Sequence, residues 1–176
     1  MGDFTAAHLG ERRTLADGRQ VTIRPIQPED EAAERRFFAR LSAETRRLRF
    51  MKFVRALNEQ LVHTFTRVDY DRYMAFVCEA TVGGAQEIVG EARYAAEADG
   101  ESCEFSIVIA DEWHKSGIGG LLMNALMRYA KASGFKTMEG MVLRDNRPMV
   151  KFVRALGFEI APLPQEPTLV RVVRRL

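Results

Sequence analysis

Cysteine is nearly absent. Of 176 residues only Cys78 and Cys103 are cysteine, with no CxxC spacing and no histidine cluster beside them. That argues against a disulfide framework and a structural zinc site, and no metal is expected. Long apolar runs are missing too. No stretch approaches the ~20 residues of a membrane span, and the opening MGDFTAAHLGERR has no signal-like apolar core. A cytoplasmic protein with no membrane partner is the expectation. A surplus of one charge is also lacking. Lys and Arg number 26 against 24 Asp and Glu, too even a balance to make nucleic acid the expected partner. There is no internal repeat, low-complexity tract or linker. With 47% hydrophobic and 28% charged residues, residues 1–176 are expected to form one globular domain with a real core.

What is present is ordered patterning. Arg13–Ile26 reads as a hairpin turned by Asp17-Gly18, with Val21 and Ile23 alternating against polar neighbours. Pro28 and the acids after it open a helix whose apolar positions are Ala33, Phe37, Phe38 and Leu41. Ser42 and Asn58 are fitting N-caps for two further helices. Strands are expected over Tyr73–Thr81, Glu87–Glu97 and Ser102–Ala110, then helix Gly117–Ser133, strand Thr137–Leu143, helix Arg147–Leu156, and strands Phe158–Ala161 and Thr168–Leu176. Helices, a β-meander and then alternation predict an α/β (α+β) layer. Its central sheet would be mixed, mostly antiparallel and twisted, of about six to seven strands with helices on both faces. Arginines crowd two regions, Arg35–Arg49 and Arg171–Arg175. They read either as solvated faces or as a surface for an acidic or phosphate-bearing partner.

The stretch EWHKSGIGG (Glu112–Gly120) joins an apolar strand to an amphipathic helix. Backbone N–H groups from Lys115 to Gly120, unobstructed at the glycines and backed by a helix N-terminus, suit two phosphates. Lys115 can add a full charge. A P-loop fails, because neither glycine is followed by Lys-Ser or Lys-Thr. The dinucleotide fingerprint fails at Leu122, where glycine is needed. A plain strand-to-helix turn remains open on the turn alone.

HKSGIG resembles the pyrophosphate element of the GNAT-type acetyl-CoA-dependent N-acetyltransferases, and DNRPMVKFVRALGFE (Asp145–Glu159) resembles a later helix of that family. VTIRPIQPEDE, FFARLSAETRRLRF, VDYDRYMAFV and EIVGEARY are similar to the acetyltransferase domain of bacterial Pat-type protein-lysine acetyltransferases, over about Arg13–Phe158. Such domains acetylate acyl-CoA synthetases on a lysine. The resemblance implies a GNAT fold and acetyl-CoA as co-substrate. It implies cofactor contacts from Ile107, Val108 and Ile109, from His114, Lys115, Ser116, Gly117, Ile118, Gly119 and Gly120, and from Asn146 and Met149. His114 stands where Gln or Arg is usual. The chain has no room for the second domain these proteins usually carry, so their regulation is not expected here.

Acetyl transfer to an amine needs a neutral nitrogen, and a lysine of ordinary pKa near ~10.4 must first lose a proton. In the family a strand acid serves as base, which implies Glu104. By strand alternation Glu104 shares a face with Ser106 and Val108, while Phe105 and Ile107 face the other way. Apolar surroundings would raise its pKa. A backbone N–H near Val108 is the expected oxyanion donor. Many family members protonate the thiolate with a tyrosine where this chain has Val153. Asp69, Tyr70 and Asp71 read as a substrate-side acidic lip or as a polar loop with a tyrosine anchor. Trp113 reads as packing, and His8 and His63 belong to no constellation. The most direct reading is a lysine acetyltransferase working through a ternary complex. A small-molecule amine acetyltransferase and a non-catalytic acyl-CoA sensor, which would not need Glu104, are the alternatives. The C-terminal strand could pair with a second copy as a homodimer, though nothing in the sequence forces it.

Overall fold

The structure, a computed structural model, describes residues 10–51 and 55–176. His8 lies outside them. The chain opens with β1 (Glu11–Thr14) and β2 (Gln20–Pro25), joined through Asp17-Gly18 with Gly18 at φ 85°. A 3-10 turn at Pro28–Asp30 leads into α1 (Glu31–Arg40), followed by α2 (Ala43–Phe50) and α3 (Glu59–Thr66). Both expected caps are in place: Thr45 N–H donates to Ser42 Oγ at 3.1 Å, and Leu61 N–H to Asn58 Oδ1 at 2.8 Å. Each satisfies a helix-start donor and contributes about 1 kcal/mol.

Next come β3 (Tyr73–Val82), β4 (Ala85–Ala96) and β5 (Ser102–Ile109). The β3–β4 connection is tighter than the five-residue loop expected. Gly83 and Gly84, at φ 59° and 85°, turn the chain alone, because two successive positive-φ residues match the twist of a hairpin. Then follow α4 (Ile118–Ala132), β6 (Thr137–Leu143), α5 (Arg147–Ala155), β7 (Glu159–Pro162) and β8 (Leu169–Arg175).

All eight strands form one sheet in the order β1-β2-β3-β4-β5-β6-β8-β7. Every neighbour is antiparallel except β5 and β6, which are parallel. The strands expected individually, two in the hairpin and six beyond it, all join this sheet, which makes it one strand wider than the six to seven expected, with the short β1 and β7 as its edges. A mixed, mostly antiparallel sheet with helices on both faces is the architecture that the resemblance implied.

Register assigns the two faces. Glu91 pairs with Val108 and Gly90 with Ile109, so these pairs point opposite ways. Val108 and Glu91 lie under Phe37 and Phe38 of α1, Leu41 just after it and Phe50 of α2. Gly90 and Ile109 lie against Ile118 and Leu122 of α4. Ile118, Leu122, Met123 and Leu126 are fully buried, each contributing about 1.5–3 kcal/mol from apolar area removed from water. The start of α4 is thereby fixed to the middle of the sheet.

Candidate active site

The site forms where β5 and β6 part. Their ladder holds only Ser102–Thr137, Cys103–Met138 and Glu104–Glu139, although β5 runs on to Ile109 and β6 to Leu143. The divergence has a visible wedge. The Phe105 ring, packed on Phe158 with centroids 5.1 Å apart, occupies the space over Gly140, where a Cβ would come within 2.8 Å of it. Beyond Glu104 every second peptide group of β5 therefore faces a gap rather than β6.

Glu104 sits at the apex of this gap. It is exposed, on the face it shares with Ser106 and Val108, while Phe105 and Ile107 point to the α4–α5 side, as alternation predicts. Its carboxyl is held above the ordinary carboxylate range. Partial burial is the main cause, the neighbouring Glu97 and Glu139 carboxylates add to it, and Arg49 of α2 opposes it. Apolar neighbours alone were expected, so the flanking acids are a feature that spacing did not reveal. Glu139 comes from β6 and reaches Glu104 only through the parallel pairing.

At the other end of β5, a 3-10 turn at Asp111–Trp113 leads to the glycine turn. Lys115 and Gly117 both take positive φ, 63° and 94°, which lets the backbone curl immediately before α4. The two glycines serve different needs. Gly117 has open space around it and is required by its backbone angle. Gly119 is favoured by packing, since a Cβ there would lie 3.3 Å from the Phe152 ring of α5, which would have to give way slightly. The expectation was a free run of N–H groups from Lys115 to Gly120, but two of them are already bonded. Ser116 N–H donates to Trp113 O at 3.3 Å and Ile118 N–H to Ser116 Oγ at 3.4 Å. The first-turn N–H groups of α4 have no intrahelical acceptor and carry the positive end of the helix dipole. A turn of this form fits a pyrophosphate.

His114 is exposed, and its Nε2 lies 3.0 Å from Ile109 O. A carbonyl only accepts, so Nε2 carries the hydrogen. The ring thus closes the end of β5 onto the turn. Trp113 is buried with the Arg19 guanidinium 3.9 Å above its ring, in line with a packing role. Asn146 caps α5 through Met149 N–H at 3.2 Å. Val153 is fully buried, so no hydroxyl stands at that place.

Asp69–Asp71 form a built turn. Asp69 Oδ1 accepts from Asp71 N–H and Tyr73 N–H at 3.0 and 2.8 Å, Tyr70 sits at φ 58°, and its hydroxyl donates to Ile26 O at 2.7 Å. Register sets Tyr73 opposite Ala95 and Ala95 opposite Glu104, which puts this turn at the foot of a strand two away from Glu104. His63 contacts Arg67, 2.9 Å from its Nε, near the Glu31 carboxylate. The arginine-rich helices are not a free basic surface. Arg40 donates to Ile88 O at 2.7 Å, Arg46 to Leu41 O at 3.0 Å, and Arg47 pairs with Glu44 at 2.7 Å.

Sequence reasoning missed a buried acid pair beside this site. Glu34 of α1 and Glu91 of β4 are 3% and 2% exposed. Glu91 receives Arg93 Nε at 2.8 Å and Nη2 at 2.5 Å. Burial, and then the Glu91 carboxylate, push the Glu34 carboxyl well up. The only clue in the sequence is Glu34 falling on the apolar stripe of α1.

Among the described residues, no helix is long and apolar enough to cross a membrane, and no group of three or more His, Cys, Asp or Glu side chains could hold a metal ion.

Comparison with known proteins agrees with this geometry. Residues 36–158 match the Acetyltransferase (GNAT) family. An acetyltransferase of Pseudomonas aeruginosa is 36% identical over 163 residues, 93% of this chain and 87% of that protein. The acetyltransferase Pat of Mycolicibacterium smegmatis is 30% identical over 141 residues, 80% of this chain but 41% of that longer protein. The crystal structure of the GNAT domain of S. lividans PAT superposes with a TM-score of 0.87 over 98% of this chain and 99% of that one, at 24% identity. An acetyltransferase from Salmonella typhimurium, solved with its cofactor acetyl-CoA, gives 0.72 over 89% and 94%, at 19% identity.

Proposed function

Because the chain belongs to the GNAT acetyltransferase family and is closely related to bacterial Pat-type protein-lysine acetyltransferases, we propose that it carries acetyl from acetyl-CoA to a protein lysine, with Glu104 as the base. The observation that carries this reading is the Glu104 carboxyl at the apex of the β5–β6 gap, with its acidity weakened toward the range a base needs. The glycine turn and the first turn of α4 would take the pyrophosphate. Ile107, Val108 and Ile109 would line the arm of the cofactor along the gap, with Asn146 and Met149 opposite. Asp69, Tyr70 and Asp71 would form an outer acidic rim toward which a cationic acceptor segment is drawn.

In the reaction, the Glu104 carboxylate takes a proton from the acceptor ammonium. The freed nitrogen lone pair attacks the thioester carbon, and the oxygen takes up the developing charge beside a β5 N–H near Val108, that of Ile107 or Ile109, whose peptide groups face away from β4. The nitrogen, cationic after attack, gives up its second proton to solvent as collapse breaks the C–S bond. The thiolate leaves with the electron pair and is protonated from solvent, since Val153 offers no proton. The acetylated lysine and coenzyme A are the products. Attack is direct, within a ternary complex.

Two measurements test this. Glu104→Gln should lower turnover about 10²–10⁴-fold with acetyl-CoA affinity changed less than about twofold; unchanged turnover removes Glu104 as base. Radiolabelled acetyl-CoA incubated with the protein, an acyl-CoA synthetase and a panel of small amines should label the synthetase. Label confined to the small amines would make the protein a small-molecule acetyltransferase. Cofactor binding with no transfer to any acceptor would make it a sensor.

A further inference from the structure

Helix α2 is tied to both loops that flank the gap. At its start, Ser42 N–H at 2.9 Å, Ser42 Oγ at 2.7 Å and Thr45 Oγ1 at 2.7 Å all donate to the Asp111 carboxylate. Asp111 belongs to the turn that carries β5 into the glycine stretch. Further along, Arg47 reaches Asp145 Oδ2 at 3.3 Å, the residue before the cap of α5. Its last turn carries Arg49, which stacks over Phe50 at 4.8 Å and Phe65 at 5.9 Å and lines the cavity holding Glu34, Glu91 and Val108. An eight-residue helix is marginal alone. A carboxylate at its N-terminus, receiving three hydrogen bonds and complementing the dipole, fixes where it sits. Asp111 is correspondingly held acidic: partial burial pushes its carboxyl up, and the bonds from Ser42 and Thr45, with the nearby His114, more than offset that.

We propose that Asp111 is a positioning residue for acyl transfer, which ties the cofactor turn to α2 and so makes cofactor occupancy set the place of Arg49 in the wall beside Glu104. The proposal rests on the reading of the Gly117–Gly120 turn as the acetyl-CoA site. Asp111 is 69 residues from Ser42 in sequence, so the link exists only in the folded chain. Binding a pyrophosphate would restrain the turn, and the restraint would pass through three short bonds to α2, and through Asp145 and Arg47 from the other side.

The test is hydrogen exchange of the full chain with and without acetyl-CoA, beside calorimetry on the same samples. In the wild type, acetyl-CoA should slow exchange in residues 115–121 and also, about fivefold or more, in residues 43–50. Asp111→Asn offers one acceptor oxygen and no charge. It should keep the slowing at the turn, keep acetyl-CoA affinity within about threefold, and lose most of the slowing in α2. Thr45→Val, which keeps the Asp111 charge and the Ser42 cap of α2 and removes one donor, should be intermediate and guards against a folding defect in the first variant. A purely structural Asp111 would speed exchange equally in both states and leave the ligand-dependent difference intact. That difference surviving in Asp111→Asn, or being absent from α2 in a wild type whose turn is protected, overturns the proposal alone. No heat and no protection anywhere would instead overturn the acetyl-CoA site, and the coupling with it.

Discussion

Glu104 and Glu139 stand opposite each other as the last matched pair of the parallel β5–β6 ladder. Adjacent strands lie about 4.8 Å apart and paired residues share a face, so the two carboxyls are held close enough to feel each other's charge. Their environments differ. Glu139 receives Arg171 Nε at 2.7 Å, whereas among the described residues Glu104 makes no ion pair. Like charge disfavours a second negative group, and the weakened acidity of Glu104 is in part the consequence.

That arrangement gives a paired prediction of opposite sign. In the proposed reaction Glu104 must be deprotonated, so kcat/KM should rise with pH through the raised range of its carboxyl. Glu139→Gln removes a charge that pushes this carboxyl up and should move the acid limb to lower pH. Arg49→Met removes a charge that pulls it down and should move the limb to higher pH. Both limbs are read from pH profiles of kcat/KM at fixed ionic strength, since partly exposed pairs are screened by salt. Shifts in the same direction would remove the electrostatic account.

The glycine turn invites a second pair. At φ 94°, Gly117 has a backbone that an L side chain resists by about 1–2 kcal/mol. Gly117→Ala should therefore lower the urea midpoint and weaken acetyl-CoA binding about tenfold. Gly119→Ala should act differently, by pressing on Phe152 and moving α5 from α4. Phe152→Leu in the Gly119→Ala background should restore part of the loss, which a double-mutant cycle reads as coupling between neighbours. It should do nothing for Gly117→Ala.

His114 should be replaceable. Its ring donates to Ile109 O, and a glutamine amide can donate in the same way. His114→Gln should keep acetyl-CoA affinity within about twofold. His114→Ala should lose about 1 kcal/mol of stability, the net value of one hydrogen bond, as measured by thermal unfolding. A hundredfold loss of turnover in both variants would instead give the imidazole a chemical role.

The order of elements and most of their bounds were legible, because caps and turn residues mark helix and hairpin ends locally. Ser42, Asn58, Asn146 and Asp17-Gly18 each stop or start an element by their own chemistry. The place of Glu104 on β5, on the face of Ser106 and Val108, was legible through alternation, and its proposed role comes from family resemblance. What surrounds it was not. Glu139, Arg49 and Asp111 reach the site by strand order, by a helix packed on a cavity and by a bond between distant loops, none of which leaves a periodic trace. Glu34 even contradicts the pattern, since an acid on the buried stripe of a helix reads as an error until Glu91 and Arg93 are seen beneath it.

That buried pair supports the last prediction. Burial, then the Glu91 charge, raise the Glu34 carboxyl above its unfolded value. The contribution of Glu34 is thus fully present below the ordinary glutamate range and is lost as pH rises through the raised value. Glu34→Gln, which mimics the neutral acid, should match the wild type near pH 4 and exceed it in stability at alkaline pH. For Glu91, burial pushes upward, but Arg93 and its bonds prevail and the carboxyl is lowered. Its contribution is present above the ordinary range and is lost as pH falls through the lowered value. Glu91→Gln leaves Arg93 buried without a counter-charge and should cost about 3–5 kcal/mol near neutrality. The deficit should shrink in acid, where the wild type loses the same charge. Urea midpoints measured from pH 4 to 9 separate the two. A Glu91→Gln protein as stable as wild type at pH 7 would mean that Arg93 finds another partner, and the account of this network would fail.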